Sequence, residues 1–349
     1  MRAAVLYAPK DLRIEDVPSP ALGNGDVLVK VALNGLCGTD FSEYDHGPLM
    51  VPLRDRHPVT GHHGPIILGH EFIGTVVDAG PAARKWIGLR VASGAGVSCG
   101  RCRWCNAGRT NLCDRYYTIG LSTHGALAEY VAVPQSTLIE IPAACPDEEA
   151  VLAQPLAVGL HAIDRAELRG DEHVAVLGIG AIGAFILTGL ARHRGPVTAV
   201  DVSEERLRVA RALGATRSCL VSPEAAPDEI RELVGSTPEV VIECSGSFGS
   251  LGRAAGLVER GGRVLLVGLQ KAPQPLDAAK LVLSEVEIRT SVAHVCSRNL
   301  PDALSLLCTK RIASIIGVHV VPLTTVLSDA FAPTARIGAS KKFVVDVTR

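Results

Sequence analysis

The sequence predicts an α/β protein of two domains, one β-rich and one built on a parallel sheet covered by helices on both faces. Three observations predict it. Residues 1 to about 150 carry short β-like runs separated by glycine and proline. From about residue 172, continuous apolar runs alternate with helical segments, the pattern of strands buried on both faces. A glycine-rich turn stands at the first strand-to-helix junction of that second region. A length of 349 residues fits two domains at about 150 residues each.

In chain order, the runs DVLVKVAL, FIGTVVDAG and LAEYVAVP read as strands of the β-rich region. VLAQPLAV follows, with Gln154 set before Pro155; proline pushes its predecessor out of the helical region, so the pair reads as an element boundary and a Pro-led helix start. The alternating region then runs through HVAVLGIG, AIGAFILTGLARHRG, VTAVD, SEERLRVARALGA, EVVIECSG, GSLGRAAGLVERGG and RVLLVGL. In SEERLRVARALGA, Ser203 can cap the helix, Glu204 and Glu205 favour its positive end, and Gly214 can close it. After about residue 290 the alternation fades, and the closing run KKFVVDV reads as a strand rejoining the first domain.

Composition narrows the function. With 47% hydrophobic residues and a formal charge of −1, the chain has no electrostatic footprint for nucleic acid or an anionic membrane. It has no apolar run approaching the roughly 18 residues of a membrane span. Its start, MRAAVLYAPKDLR, lacks the apolar core of a signal peptide, so a cytoplasmic location is expected. Of the ten cysteines, four cluster between residues 99 and 113, which in a large chain favours metal or catalysis over disulfides.

The run GIGAIG places Gly178, Gly180 and Gly183 at G-x-G-x-x-G spacing, with Ala181 and Ile182 between the last two, after a strand pattern and opening a helix. Glycines permit the tight turn, and the helix start offers unpaired N–H groups to a pyrophosphate. Asp201 ends the next strand, where a carboxylate can bind ribose hydroxyls and repel the extra phosphate of NADP, so NAD is expected. Ser245 and Gly246, and the run Val267, Gly268 and Leu269, end later strands of this region and are further cofactor candidates.

Residues 99 to 113, CGRCRWCNAGRTNLC, bring Cys99, Cys102, Cys105 and Cys113 into one short lobe, a set that can close a tetrahedral structural zinc shell. Arg101, Arg103, Arg109 and Arg115 surround it, but no aromatic-basic sheet pattern accompanies them, which argues against a nucleic-acid ribbon. A second constellation is spread out: Cys37 in GLCGTD, and His70 and Glu71 in LGHEF. Sulfur, imidazole and carboxylate suit zinc, and three protein ligands leave a position for water or substrate. Spacing alone favours a buried cysteine and a satisfied core histidine; the dinucleotide site and the zinc lobe in the same chain reverse that preference in favour of metal.

GLCGTD, GHEF, the four-cysteine lobe, QPLAVGLHA and GIGAIG occur here in the order in which they occur in zinc-dependent medium-chain alcohol and polyol dehydrogenases, and the chain resembles that family over essentially its whole length. The longer gap from Cys37 to His70, containing HPVTGHHGPIILGHE, most resembles the 2,3-butanediol dehydrogenase branch. The resemblance implies a GroES-like catalytic domain over residues 1–155 and 291–349, with the zinc lobe at about 95–115. It implies a Rossmann domain over 156–290, NAD and two zinc ions as cofactors, a small alcohol or ketone substrate, and a homo-oligomer, dimer or tetramer.

By the same resemblance, Cys37 and His70 bind catalytic zinc, Glu71 is a ligand or a close second partner, and Thr39 hands the alcohol proton towards the cofactor ribose, although its hydroxyl could also bond the local turn. Two positions depart from the family pattern. Ser42 stands where many relatives carry a relay histidine, so the proton must leave by water or by another group such as His46. Gln154 stands where relatives often carry glutamate; a neutral amide is a poorer zinc ligand, which leaves the metal more electrophilic and less tightly held. Gln154 is expected in the catalytic pocket, bonded to water or substrate. Two other functions stay open on these departures: a biosynthetic carbonyl or iminium reductase with altered catalytic zinc, and a non-catalytic NAD-binding protein. His57, His62 and His63 read as a solvated loop, and Cys145, Cys219, Cys244, Cys296 and Cys308 as buried thiols.

Overall fold

A computed structural model describes residues 1–270, 272–336 and 341–349. The chain divides into two compact units, Met1–Ala157 with His294–Arg349, and Val158–Ala293.

The first unit is β-rich. Its seven-stranded sheet runs Leu138–Glu140, Arg90–Ser93, Glu71–Ala79, Asp26–Gly35, Lys342–Asp346 and Val318–Pro322, with Tyr130–Pro134 also pairing Asp26–Gly35. A three-stranded sheet orders Asp11–Asp16, Arg2–Ala8 and Ile66–Ile67. Alternating apolar positions of these strands face inward, so that Leu6, Val27, Val29, Val31 and Phe72 form one buried core, joined by Ile119, Leu127 and Phe331 from outside the strands. KKFVVDV does return here: Val344, Val345 and Asp346 pair antiparallel with Gly35, Asn34 and Leu33. The structure adds a helix, Cys296–Lys310, where the sequence pattern fades; Pro301 within it interrupts the expected period.

In this sheet Gly35 lies opposite Glu71, and a Cβ on Gly35 would collide with the Glu71 carboxylate. That register carries the chain from Gly35 through Leu36 to Cys37 beside His70. The helix Gly38–His46 then begins, and its Phe41 and Tyr44, on one face, pack on the fully buried Phe331 with ring centroids 5.2 and 5.0 Å apart.

The second unit is a six-stranded parallel sheet in the order Arg217–Leu220, Val197–Asp201, Val174–Leu177, Val240–Glu243, Arg263–Leu266 and Glu287–Thr290. Helices Ala181–Leu190, Glu204–Ala212, Pro227–Val234, Ser250–Leu257 and Ala278–Ser284 make the crossovers. The central strands Val174–Leu177 and Val240–Glu243 are buried along their length, as continuous apolar runs require. Strand order reverses between these two, the switch point at which such sheets bind ligands beyond their C-terminal ends. Ser203 caps its helix as expected, accepting from the Arg206 N–H at 3.4 Å, and Gly214 lies past the end at φ +106°.

The Gln154–Pro155 pair stands at a helix start, as expected, with the first turn beginning one residue earlier, at Ala153 of the helix Ala153–Ala166. Proline is tolerated there because it falls in the first turn, whose N–H groups have no helical partner.

Candidate active site

One atom each from Cys37, His70 and Glu71 lies within 4.8 Å of the others. His70 and Glu71 are buried and Cys37 is half-buried. Asp40, in the first turn of the helix after Cys37, is fully buried; its Oδ2 accepts from the Cys37 N–H at 2.8 Å. Its Oδ1 faces His70 Nδ1 at 3.6 Å, and neither atom has a hydrogen-bond partner. Glu71 is held from the other side by the Lys342 ammonium, which also donates to the Leu36 carbonyl at 2.9 Å.

The electrostatics show what this arrangement is suited to hold. Burial alone would push the His70 pKa down, yet Asp40, Cys37 and Glu71 around it raise it to about 10. Burial pushes the Asp40 carboxyl up, against the opposing pull of His70. Negative charge converges on one imidazole, with two buried polar atoms unsatisfied. A divalent cation on sulfur, nitrogen and oxygen donors fits that set, with Asp40 and Lys342 as the groups that orient its ligands.

Cys99, Cys102, Cys105 and Cys113 also converge within 4.8 Å and form no disulfide. The Cys113 sulfur accepts from the Cys99 and Arg115 N–H groups at 3.2 and 3.3 Å, and Cys102 and Cys105 lie 3.5 Å apart. Backbone N–H donors pull the Cys102 thiol down to about 6, while burial pushes Cys113 up to about 11. Four converging sulfurs with N–H donors fit a tetrahedral zinc. Trp104 in this lobe lies under Arg103 and Arg109, at 4.5 and 5.3 Å from its ring centroid.

In the second unit, Gly178 turns the chain at φ +88° after its strand, and a Cβ there would come within 2.8 Å of the Ser245 N. Gly180 precedes the helix that contains Ala181, Ile182 and Gly183. A Cβ on Gly183 would strike the Gly178 carbonyl, so the turn is as tight as a pyrophosphate site needs. Asp201 is buried; its two oxygens accept from Ile179 N–H at 2.6 Å and Ser203 N–H at 2.9 Å. A carboxylate offers about four lone-pair sites, so capacity remains for ribose hydroxyls.

The fold and these donor sets match known proteins. Residues 23–143 match the alcohol dehydrogenase GroES-like domain, and residues 178–309 match the zinc-binding dehydrogenase model. The chain is 31% identical to a sorbitol dehydrogenase of Bacillus subtilis over 293 residues, covering 82% of this chain and 81% of that one. It is 33% identical over 289 residues to an L-threonine 3-dehydrogenase of Shewanella baltica, covering 81% and 82%. The chain belongs to the zinc-dependent medium-chain alcohol and polyol dehydrogenase family. The crystal structure of 2R,3R-butanediol dehydrogenase from Bacillus subtilis superposes with a TM-score of 0.87 at 27% identity, with 99% of each chain covered. The two units are therefore a GroES-like domain and a Rossmann domain, and the family's cofactors are NAD and zinc.

Within this dehydrogenase, other residues fall as follows. Thr39, half-buried, stands beside Cys37, with its Oγ1 3.7 Å from the Cys37 sulfur. Ser42 is half-buried one turn further, and His46 is exposed at the helix end. Gln154 is half-buried in its helix. Two expectations need correction. The histidine loop is only partly solvated: His63 is exposed, whereas His57 and His62 are half-buried, His57 accepting from the Val59 and Thr60 N–H groups and His62 packing edge-on against His124 at 4.6 Å. Only Cys145 and Cys219 among the five other thiols are buried; Cys244, Cys296 and Cys308 are half-buried.

Sequence reasoning missed Asp40, Lys342 and Glu243. Asp40 left a signal, an acidic residue three positions after the residue that starts a helix. Glu243 left one too, a charge at the end of the apolar run EVVIEC. Lys342 left none, since it meets Glu71 only through the strand pairing of distant segments.

Proposed function

We propose that this dehydrogenase interconverts a secondary alcohol, diol or polyol with its ketone, using NAD and a zinc held by Cys37, His70 and Glu71, with a structural zinc held by Cys99, Cys102, Cys105 and Cys113. The observation that carries this reading is the convergence of half-buried Cys37 with buried His70 and Glu71, with charge gathered around them. Zinc supplies a Lewis acid that lowers the pKa of an alcohol, and NAD accepts the hydride. The chain's own residues do the rest. Asp40 fixes the His70 ring, Lys342 fixes Glu71, and the hydroxyl of Thr39 carries the substrate proton away. Ser42 cannot titrate near neutral pH, so water completes the proton path. Gln154 hydrogen-bonds water or substrate as a neutral group. Gly178, Gly180 and Gly183 cradle the pyrophosphate, Asp201 reads the ribose and favours NAD over NADP, and the ends of the strands Val240–Glu243 and Arg263–Leu266 complete the cofactor site.

The same reading extends to assembly and place. No helix among the described residues is long and apolar enough to cross a membrane. The strand Glu287–Thr290 is the edge of its sheet, and Val282, Leu283 and Val292 beside it in sequence are 75%, 78% and 53% exposed. Such an edge with apolar neighbours suits pairing with a second copy, and a cytoplasmic homodimer or homotetramer is the proposed form.

Metal analysis combined with NADH formation over a panel of secondary alcohols, diols and polyols tests this function. Two zinc ions per chain with turnover on the panel support it. One zinc and no turnover in either direction would refute it and favour a non-catalytic NAD-binding protein.

A further inference from the structure

Glu243 is 0% exposed, at the C-terminal end of the strand beside the switch point. Among the described residues it forms no ion pair, yet almost every hydrogen-bonding position around it is occupied. Its Oε1 accepts from the Ser245 N–H at 2.7 Å, the Gly246 N–H at 3.1 Å and the Ser245 hydroxyl. Its Oε2 accepts from the Gln270 amide at 3.2 Å. Its backbone carbonyl accepts from the Val267 and Gly268 N–H groups at 2.9 and 3.0 Å. One residue therefore ties the turn after its own strand to the turn after the neighbouring strand.

The glycines show how closely these turns interlock. A Cβ on Gly268 would come within 2.7 Å of the Glu243 carboxylate and would strike the Gly246 N. A Cβ on Gly246, at φ +61°, would come within 2.6 Å of the Leu269 carbonyl. The glycine-rich turn joins the same network, because Gly178 packs directly on Ser245. The carboxylate thus holds the Ser245–Gly246 turn directly and reaches the neighbouring turn through the Gln270 side chain, while the Glu243 backbone carbonyl holds Val267 and Gly268 and the Gly178 turn packs on Ser245. A buried carboxylate is costly unless charges or fixed dipoles satisfy it, and here the donors are the N–H groups and hydroxyl of the Ser245–Gly246 turn and the Gln270 amide. Loosening one turn leaves the charge under-solvated, so the turns are held as a unit.

We infer that Glu243 is a positioning residue for cofactor binding: its carboxylate pre-organises the turns Ser245–Gly246 and Val267–Leu269, and through Ser245 the glycine-rich turn, so that the dinucleotide meets a rigid surface. Gln270 is the second member of this device. It donates from one amide nitrogen to Glu243, Ser250 and the Gly268 carbonyl. The inference rests on the assignment of these turns to the NAD site. Pre-organisation lowers the ordering cost of binding, and its loss shows as weaker affinity.

NADH fluorescence titration of the zinc-loaded full chain, wild type and Glu243→Gln, tests it, with hydrogen exchange of the Ser245 and Gly246 amides measured without cofactor. The glutamine keeps one acceptor oxygen and places an amide donor against Gln270. The expected result is an NADH Kd raised about tenfold, an NAD KM raised in parallel with kcat largely retained, and faster exchange at both amides, with two zinc ions still bound. Ser245→Ala and Gln270→Leu remove one partner each, and should weaken NADH binding about threefold even where Glu243→Gln does not fold. A wild type that does not bind NADH sinks the cofactor assignment and the inference with it. A wild type that binds, with Kd within twofold in every variant that folds, overturns the role of Glu243 alone.

Discussion

Replacing Lys342 by methionine tests whether the proposed metal constellation of Cys37, His70 and Glu71 is also a structural joint. Lys342 is 5% exposed and Glu71 is 1% exposed, and the ammonium is shared between the Glu71 carboxylate and the Leu36 carbonyl. Methionine keeps most of the volume and removes the charge. It leaves Glu71 without its ammonium partner, with only the metal proposed on Cys37, His70 and Glu71 to offset the charge, and the carbonyl of Leu36 without its donor. Breaking a buried ion pair from one side costs about 3–5 kcal/mol, because the remaining charge stays desolvated. For a unit of this size, about 2–4 °C of melting temperature per kcal/mol converts that to a fall of about 6–20 °C. Lys342→Gln keeps a donor without the charge and is expected between wild type and Lys342→Met. Calorimetric melting of the zinc-loaded chains, with metal content measured alongside, reads the difference. A Lys342→Met chain that melts within about 2 °C of wild type would refute the reasoning, since it would mean that the pair contributes nothing net at this site.

Three further outcomes follow from the sites. Gln154→Glu adds a carboxylate at the proposed catalytic pocket and should slow zinc loss to a chelator about tenfold and shift the pH profile of turnover; unchanged loss and profile would remove Gln154 from the pocket. Cys105→Ser should lower zinc content from two to one per chain and expose the segment from Cys99 to Cys113 to proteolysis, because metal binding there is folding energy on the order of 10 kcal/mol; full zinc content would show that the lobe is not a metal site. Gly178→Ala forces a side chain into φ +88° and to within 2.8 Å of the Ser245 N, a strain of about 1–3 kcal/mol that should raise the NADH Kd about 5- to 150-fold, as read by titration.

The parts that could be read from the sequence are those set by short-range pattern. VTAVD and EVVIECSG are continuous apolar runs, and a strand buried on both faces leaves no other solution. The four cysteines lie within fifteen residues, so their convergence is a local matter of chain length. Cys37 and His70 could be named, but what brings them together is the pairing of Gly35 with Glu71, and no spacing rule encodes that. Lys342 was illegible for the same reason, being 271 residues from its carboxylate. The Gln154–Pro155 pair was legible as a helix start because pre-proline sterics argue for a boundary and the first turn of a helix accommodates proline. His57 and His62 were read as solvated because polarity was visible, while the N–H groups and the ring that enclose them were not.

The strand Lys342–Asp346 also sets a clock. It pairs with Asp26–Gly35 and supplies the ammonium to Glu71, yet about 190 residues must be synthesised after Ala157 before it emerges, a delay of roughly ten to forty seconds at 5–20 residues per second. Val158–Ala293 lies wholly within that interval and can close on its own. The nascent first unit meanwhile carries an open strand edge and, in Glu71, a carboxylate without its lysine at the proposed metal site. The domain begun first on the ribosome is therefore the one completed last, and its window of exposure is set by the length of the domain inserted into it.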